Sequence, residues 1–276
     1  MKRVLLGAAV PAMLAAGILL TVARASGPAR LNNDPNVLWS IVHDRCVPNQ
    51  VGENTPAPCA AVDTDRGYAV LKDRRGLAQY LVIATDRVTG IEDPSILSPA
   101  APDYFGAAWH QVDRSLARLG HTMPRETMAL AINSQYGRSQ NQLHIHIDCL
   151  APNIRVALHW ARPQIGHGWT RLVLNDHTYR ATRIDGNSLD GAYPFRRLAA
   201  SLADPAREMG EHTLVVVGTV WPGGRPGFIL LDDMVKPLSG DRAEGEELQD
   251  HACRIGHFEP GRAIQEQPYQ QAMLPD

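Results

Sequence analysis

The stretch Gln142-Leu143-His144-Ile145-His146-Ile147 alternates polar and apolar side chains along its whole length. In a β-strand, successive side chains point to opposite faces of the sheet, so Gln142, His144 and His146 should share one face. The leucine and the isoleucines would then enter the core from the other face. Because polar groups on an apolar strand are costly to bury without partners, the pattern predicts a strand, continuing to Leu150, that carries a polar site.

Strand and helix patterns flank this stretch on its N-terminal side. A short helix is expected over residues 36–45 and a hairpin over 67–84, where two apolar runs surround a charged turn. An apolar period of about 3.6 residues predicts a helix from Asp103 to Leu119, and Met128 to Ile132 reads as another strand. Antiparallel strands interrupted by helices predict an α+β fold.

The second half of the chain follows the same plan. Its expected elements are a hairpin over 171–184, a helix from Pro194 to Met209 and strands over 213–220 and 228–231. Their order and spacing match those of the first half, although few residues are identical. We therefore expect an internal repeat, with units at about 36–152 and 153–256, rather than two unrelated subdomains.

Composition excludes some functions. The 276 residues carry a formal net charge of −2, with 44% hydrophobic and 20% charged residues, which is ordinary for a globular protein. No long basic stripe occurs, so nucleic acid is not expected as a partner. The length suits one large domain or two small units that share a core, and the sequence does not predict an oligomeric state.

The N-terminus has the layout of an export signal. Lys2 and Arg3 precede a long apolar run, and small residues at its end offer a cleavage site before Ser26. The run is also long enough to span a bilayer, which takes roughly 20 residues. We therefore expect residues 1–25 to be a signal peptide or a membrane anchor, and residues 26–276 to lie outside the cytoplasm as one domain.

Four cysteines lie in the exported part of the chain: Cys46, Cys59, Cys149 and Cys253. An even number in an oxidising compartment favours two disulfides. Cys46 and Cys59 bracket a loop rich in Pro and Asn, so the simplest pairing joins them and leaves Cys149 for Cys253. Every connectivity stays open at this point, and so does a structural zinc ion, although no Cys-x-x-Cys pair supports one.

The two histidines allow three interpretations. They could be hydrogen-bonded residues of a polar cavity, or ligands of a metal ion for which the sequence shows no obvious third ligand. In the third, a neutral imidazole attacks a phosphoryl group and water then cleaves the phosphoramidate. The preceding loop, Gly137-Arg138-Ser139-Gln140-Asn141, favours this one, because its amides, hydroxyl and guanidinium suit phosphate. We therefore predict a phosphohydrolase with His144 as its nucleophile.

The polar stretch resembles the histidine-triad (HIT) motif, His-φ-His-φ-His-φ, of nucleotide hydrolases and transferases. A wider set of segments resembles the bacterial CDP-diacylglycerol pyrophosphatase family and covers most of the chain. These segments are Cys46-Val47-Pro48-Asn49-Gln50, Pro58-Cys59, Tyr68-Ala69-Val70-Leu71-Lys72-Asp73, Leu130-Ala131-Ile132-Asn133-Ser134, Gly137-Arg138-Ser139-Gln140-Asn141, His144-Ile145-His146-Ile147, Cys149 and Gln249-Asp250-His251-Ala252-Cys253. Since they include all four cysteines, the wider resemblance is more specific than the histidines alone.

The resemblance implies a HIT-like antiparallel sheet with helices, built from two fused units. It also implies hydrolysis of CDP-diacylglycerol to CMP and phosphatidate, in phospholipid metabolism, without a cofactor or a metal ion. His144, the middle position of the triad, would attack the CMP phosphorus, and His146 would bind or protonate the phosphate. The leader would place such an enzyme at the bacterial inner membrane with its domain in the periplasm, or free in the periplasm after cleavage.

The same resemblance assigns substrate-binding residues. Asn133, Ser139 and Arg138 would hold phosphate oxygens, and Lys72 or Asp73 would lie near the nucleotide. The family's first triad histidine is Gln142 here, which can donate and accept a hydrogen bond but cannot titrate. If the middle histidine is the nucleophile, activity survives this replacement.

Two alternatives remain for the function. One is a HIT-like hydrolase or nucleotidyltransferase that acts on soluble nucleotides. The other is a periplasmic binding module that has lost catalysis through Gln142. The apolar leader favours a membrane-associated protein with a lipid-linked nucleotide, CDP-diacylglycerol, as its substrate.

Overall fold

The computed structural model describes residues 34–120 and 122–257. The leader expected over residues 1–25 lies outside the described residues, as does the end of the C-terminal tail. Within the described part of the chain, no helix is both long enough and apolar enough to cross a membrane.

The described residues form one antiparallel sheet of nine strands. The strands are β1 (Ala61–Asp63), β2 (Tyr68–Lys72), β3 (Tyr80–Ala84), β4 (Met128–Ile132), β5 (His144–Cys149), β6 (Thr170–Leu174), β7 (His177–Asp185), β8 (His212–Trp221) and β9 (Arg225–Met234). Their spatial order is β1-β2-β3-β5-β4-β8-β9-β7-β6. Together with the helices on its faces, this sheet confirms the α+β class.

The helices of the described residues are short. They are α1 (Val37–Ile41), α2 (Val47–Glu53), α3 (Tyr104–Trp109), α4 (Val112–Ala117), α5 (Pro152–Ala161), α6 (Pro194–Ala199) and α7 (Pro205–Glu208). A π-helical turn, Val42–Cys46, joins α1 to α2, so the first helical stretch extends beyond the one expected over 36–45. Helix α5, which connects the two halves of the sheet, has no counterpart among the expected elements.

Three expected boundaries were wrong. The helix expected from Asp103 to Leu119 is interrupted after Trp109 and continues as α4. The helix expected over 194–209 is also divided, because Pro205 has no N–H to extend a helix and instead occupies the first position of α7. Strand β5 begins two residues later than expected, so Gln142 precedes the strand.

The two halves of the sheet have the same strand order. The first half lies as β2-β3-β5-β4 and the second as β6-β7-β9-β8. The halves meet where β4 pairs with β8, with Ala129 opposite Val217. Edge strand β1 is an addition to the first half.

Apolar side chains are buried on both faces of the sheet. Leu143, Ile145 and Ile147 are fully buried in the larger cluster, together with side chains of α3, α4 and α5. Burial of each such side chain stabilises the fold by about 1.5–3 kcal/mol. Leu81 and Ile83 point to the opposite face, where α1 and the π turn cover a smaller cluster. The predicted division of the β5 segment into a core face and a polar face is thus observed.

Both disulfides have the simplest pairing. Cys46 bonds to Cys59, with their Cα atoms 5.6 Å apart, and ties the first helical stretch to the residues before β1. Cys149 bonds to Cys253 across a sequence separation of 104 residues and ties the end of β5 to the C-terminal part of the chain. No free cysteine remains among the described residues, so none of these four is available to zinc.

Candidate active site

Two histidines lie side by side on β5. His144 is opposite Ile83 of β3, and His146 lies between Leu81 of β3 and Ala131 of β4. Strands on both sides hold the backbone, so a rigid element positions the two rings. The ring centroids are 4.8 Å apart, with planes inclined by 67°, and both side chains are almost fully buried.

The ring of His144 is oriented by the backbone. Its Nδ1 lies 2.6 Å from the carbonyl oxygen of Gln142, which can only accept, so Nδ1 carries the proton and Nε2 carries the lone pair. Burial lowers the pKa of His144, although the bond to Gln142 opposes this effect. The imidazole is therefore neutral at neutral pH, which is the form that a nucleophile requires.

A carboxylate orients His146. Its Nδ1 lies 3.0 Å from Glu246 Oε1 and 3.0 Å from the amide nitrogen of Gln79, which also donates to that oxygen at 3.2 Å. With the proton on Nδ1 the ring donates to Glu246, and with the proton on Nε2 its Nδ1 accepts from Gln79, so in either tautomer Nε2 is the nitrogen left over. This Nε2 is buried without a hydrogen-bond partner in the described part of the chain. Burial holds the pKa of His146 well below its ordinary value, and nearby His144 lowers it further.

Glu246 is the site residue that sequence reasoning misses. It lies in a 3-10 turn, Gly245–Leu248, far along the chain from β5. Asn133, just after β4, donates to Glu246 Oε2 at 2.6 Å and accepts from the Glu246 backbone N–H at 3.2 Å. The predicted phosphate ligand Asn133 thus holds the carboxylate that faces His146. No local pattern marks Glu246, because the contact depends on the chain folding back over the sheet.

The C-terminal segment, defined here as Gly245–Cys253, lies along β4 and β5. The amide of Gln249 donates to the carbonyl of Ala129 at 2.8 Å and to that of His146 at 3.2 Å. One side chain therefore bridges two neighbouring strands directly beneath the site. The segment forms a wall of the site that is held by the backbone of the sheet.

Both ends of the C-terminal segment are fixed. A Cβ atom on Gly245 would lie 2.5 Å from Thr213 Oγ1, so the close approach to β8 requires glycine. At the other end, the Asp250 N–H donates to the carbonyl of Cys149 at 2.8 Å, and the disulfide from Cys149 to Cys253 follows.

The loop before β5 contributes an ion pair and an exposed hydroxyl. Arg138 forms a bidentate pair with Glu92, with distances of 2.6 and 2.7 Å, so a carboxylate already occupies its guanidinium. Its positive charge still reaches the site, where it acts to lower the pKa of His144 after the larger effects of burial, the Gln142 carbonyl and Glu246. Ser139 is exposed, and its hydroxyl makes no hydrogen bond within the described residues.

Gln142 is fully buried, and its side chain braces the loop after β3. Its amide nitrogen donates to the carbonyls of Ala84, at 2.8 Å, and Asp86, at 2.6 Å, while its oxygen accepts from Arg87 at 3.4 Å. Its own carbonyl receives the Nδ1 proton of His144. The residue in the first triad position therefore positions His144 through its backbone.

Lys72 and Asp73 close the turn after β2. Lys72 Nζ donates to the carbonyls of Asp73 at 2.7 Å and Gly76 at 3.0 Å, and Asp73 Oδ1 accepts from the Arg75 N–H at 2.8 Å. The turn leads directly into Gln79, beside His146. Against the larger effect of burial, the charge of Asp73 acts to raise the pKa of both site histidines, so this carboxylate is within electrostatic reach of them.

One group of residues able to ligate a metal ion occurs in the described part of the chain. Ligand atoms of His177, Asp233 and Asp241 lie within 4.8 Å of one another. Lys236 holds one oxygen of each aspartate, at 2.5 and 2.9 Å. The group includes neither His144 nor His146, so the paired histidines are not part of it.

An antiparallel sheet presents two neutral imidazoles, a carboxylate and a polar loop at one place. These features are those of an α+β enzyme whose candidate active site is centred on histidines. Its family is given by the family model of CDP-diacylglycerol pyrophosphatase, which matches residues 33–257, and the chain belongs to that family. A relative, CDP-diacylglycerol pyrophosphatase of Yersinia pestis, is 38% identical over 256 residues, or 92% of this chain and 95% of the relative. The protein is thus a hydrolase acting on a phosphoric anhydride.

Proposed function

We propose that this enzyme hydrolyses CDP-diacylglycerol to CMP and phosphatidate, in phospholipid metabolism, with His144 as its nucleophile. The observation that carries the proposal is the ring of His144. Its Nδ1 proton is fixed on the Gln142 carbonyl, its pKa is lowered by burial, and its Nε2 makes no hydrogen bond within the described residues. A neutral, oriented imidazole with a free lone pair is the form in which histidine attacks phosphorus.

In the first step, Nε2 of His144 attacks the phosphorus of the cytidylyl group. The N–P bond forms as the bond to the bridging oxygen breaks, and the electron pair leaves with phosphatidate. The ring gains positive charge, which the carbonyl of Gln142 stabilises at the Nδ1 proton. The product is a cytidylylated His144.

In the second step, water attacks the same phosphorus, the N–P bond breaks, and CMP leaves. His146 supplies a polar contact to the phosphate, since its buried Nε2 is unpartnered and its Nδ1 lies beside Glu246. An anionic phosphate in this position favours the protonated ring, which then donates from Nε2 to a phosphate oxygen. Ser139, Arg138 and Asn133 contribute to the polar surroundings of that phosphate.

The chemistry so described requires no metal ion or cofactor. The ring nitrogen provides the nucleophile, and the loop before β5 provides N–H groups and positive charge for the phosphate. We expect Lys72 and Asp73, in the turn beside His146, to lie nearer the nucleotide.

We further propose a HIT-like fold made of two fused units, at about 36–152 and 153–256. The repeated strand order, joined through β4 and β8, supports this duplication. Strand β9, in the place that β5 takes in the first half, contains no histidine. The nucleophile and His146 would therefore come from the first unit, and Glu246, beside His146, from the second.

We propose that the domain works outside the cytoplasm, at the inner membrane or in the periplasm. The basic and apolar leader supports this location, and so do the two disulfides, which persist in an oxidising compartment. Membrane association also suits a lipid-linked substrate. Membership of the CDP-diacylglycerol pyrophosphatase family does not favour the alternatives of soluble nucleotides or a binding module.

The proposal is tested by CMP release from CDP-diacylglycerol in ¹⁸O-labelled water. His144→Asn is the diagnostic variant, because its amide can still donate to the Gln142 carbonyl but has no nucleophilic nitrogen. His110→Gln, at an exposed pair with Asp190, is the control. We expect wild type and His110→Gln to place ¹⁸O in CMP at equal rates, with or without EDTA, and His144→Asn to be inactive. Full activity of folded His144→Asn, or ¹⁸O in phosphatidate, would contradict the proposal.

A further inference from the structure

A second histidine–carboxylate pair lies beside the site and has no part in the two steps above. We propose that His251, held by Asp148, is an anion-binding subsite for the lipid-side phosphate of the diphosphate, where it stabilises the departing phosphatidate. This inference rests on the proposed function and names the contact that its leaving group makes.

The position of Asp148 follows from the strand. It lies two residues after His146 on β5, so both side chains point to the same face of the sheet. Asp148 is fully buried, and its Oδ1 accepts from the Cys149 N–H at 2.8 Å. Its Oδ2 lies 2.7 Å from His251 Nδ1. A buried carboxylate needs a cation, and His251 is the one that meets it.

His251 presents its other nitrogen to the site's surroundings. Nδ1 is engaged by Asp148, whereas Nε2, on the opposite side of the ring, makes no hydrogen bond within the described residues. The side chain is 40% exposed, so the N–H at Nε2 is accessible to an anion. The bond to Asp148 raises the pKa of His251, and the charges of Asp148, Glu246 and Asp73 act in the same direction against partial burial.

The backbone of His251 is fixed before any substrate arrives. Its carbonyl accepts from the Leu77 N–H at 2.9 Å, which ties it to the turn that precedes Gln79. The Asp250 N–H donates to Cys149, and the disulfide to Cys253 follows at once. A charge that is already held in place stabilises a developing anion without the cost of reorganising the site.

The order of residues along β5 gives the substrate a direction. The nucleophile His144 comes first, then His146, then Asp148 with His251 attached. His251 is close enough that its charge acts on the pKa of His146. With the cytidylyl phosphate at His144, the second phosphate lies on the His146 side of it, towards His251. Leu77, whose N–H donates to the His251 carbonyl, has an exposed side chain that could offer the glycerol end an apolar contact.

In the first step, the electron pair of the breaking P–O bond moves to the oxygen of phosphatidate. The imidazolium of His251 is placed to meet this new charge, and no proton needs to be transferred. Loss of His251 should therefore affect the step in which phosphatidate leaves, and leave attack on other cytidylyl donors nearly intact.

The test compares two cytidylyl donors in the full chain, CDP-diacylglycerol and the p-nitrophenyl ester of CMP, whose leaving group carries no phosphate. We expect His251→Gln to lose about 10²-fold in kcat/KM on CDP-diacylglycerol and less than about threefold on the ester. His251→Lys, which keeps a cation, should recover much of the loss. His110→Gln is the matched control, since His110 pairs with Asp190 at 2.8 Å on an exposed surface.

Equilibrium binding gives a second readout that does not depend on turnover. The dissociation constant of a short-chain phosphatidate should rise at least tenfold in His251→Gln, while that of CMP stays unchanged. An equal loss of kcat/KM on both donors, an equal loss of affinity for both products, or no loss of either would overturn the proposed subsite. If His251→Gln does not fold, His251→Asn is compared with wild type by the same criteria. Failure of the proposed function is recognised separately, as activity of His144→Asn on both donors.

Discussion

The two halves of the sheet share a strand order but differ in the partners of their buried polar side chains. In the second half, Asp232 on β9 is held by His212 at 2.6 Å and by Arg180 at 2.5 Å, so its charge is balanced. In the first half, the corresponding strand β5 carries His144 and His146, which burial keeps neutral. In the second half the buried imidazole of His212 faces a carboxylate, whereas Nδ1 of His144 faces only a backbone carbonyl and its Nε2 makes no hydrogen bond within the described residues. On the proposed mechanism, the same framework supports a structural ion pair in one half and a reactive site in the other.

The largest expected effect comes from replacing one histidine in each half of the sheet with asparagine. His144→Asn should lower CMP release by about 10⁴-fold or more, because the nucleophile is lost. His212→Asn should leave kcat within about twofold and lower the free energy of unfolding by about 1–3 kcal/mol, since Asp232 keeps Arg180. Steady-state kinetics and urea unfolding measure both. Inactivity of well-folded His212→Asn would break the distinction between the halves.

The next effect concerns the carboxylate that orients His146. Glu246→Gln keeps the size of the side chain and its contact with Asn133 but removes the charge beside Nδ1. We expect kcat to fall about 10²-fold, because the protonated form of His146 loses the carboxylate beside it. Asp232→Asn is the counterpart in the second half and should change stability rather than kcat. Wild-type kcat in Glu246→Gln would remove His146 and its carboxylate from the mechanism.

Removal of either disulfide should destabilise the fold, but only one of the two removals should also affect activity. In the loop-closure model, a bridge spanning about 100 residues contributes roughly 4–5 kcal/mol and a short one about 3 kcal/mol. Cys149→Ser with Cys253→Ser should also lower kcat about tenfold, because the C-terminal segment carries Glu246 and His251. Cys46→Ser with Cys59→Ser should leave kcat nearly unchanged. Thermal unfolding and CMP release at a temperature where both variants are folded distinguish these outcomes.

A smaller effect is expected from pH. The pKa of His144 lies below its ordinary value of about 6.5, so the neutral nucleophile persists as pH falls, and the acid limb of kcat/KM should lie below that value. The pKa of His251 is raised, so the activity that depends on its positive charge should decline only when the pH rises above that raised pKa. His251→Lys should shift the alkaline limb upward and leave the acid limb in place. An acid limb above pH 7 would contradict a buried, neutral His144.

The smallest change in activity is expected at the first triad position. Gln142→His cannot reproduce both bonds to the carbonyls of Ala84 and Asp86, and loss of a buried hydrogen bond costs about 1–3 kcal/mol. We expect no gain in kcat, because Gln142 positions His144 through its backbone carbonyl. A tenfold increase in kcat would show that a histidine side chain is needed there.

Stability should also depend on the site histidines. Their pKa values are lowered in the folded protein, so the unfolded chain binds more protons once the pH falls below about 6.5. Protonation then favours unfolding, and stability should decrease with acid. The raised pKa of His251 acts in the opposite sense: its contribution is complete below about pH 6.5 and is lost as pH rises through the folded value.

The sequence predicts a contact well when the two residues that make it are close along the chain, and poorly when they are far apart. The alternation around His144 and His146 predicted a strand with one polar face, because strand geometry is local. Strand pairing and the contacts of Glu246 and His251 are not local, since both residues reach β5 only when the C-terminal segment folds back. Cys253 was the one nearby signal, as its pairing with Cys149 implies that residues just before it lie beside β5. The hydrogen-bond partners of single side chains could not be predicted either: Arg138 is bound to Glu92, and Gln142 is bound to backbone carbonyls.

The central claim is that His144 becomes covalently cytidylylated. A phosphoramidate is stable in alkali, so the enzyme can be mixed with CDP-diacylglycerol for milliseconds, quenched in base, digested and examined by mass spectrometry. The account predicts a peptide that spans β5 and carries the mass of a cytidylyl group on His144, formed at least as fast as CMP is released. Release of CMP at the full rate with no such adduct, or an adduct on another residue, would contradict it.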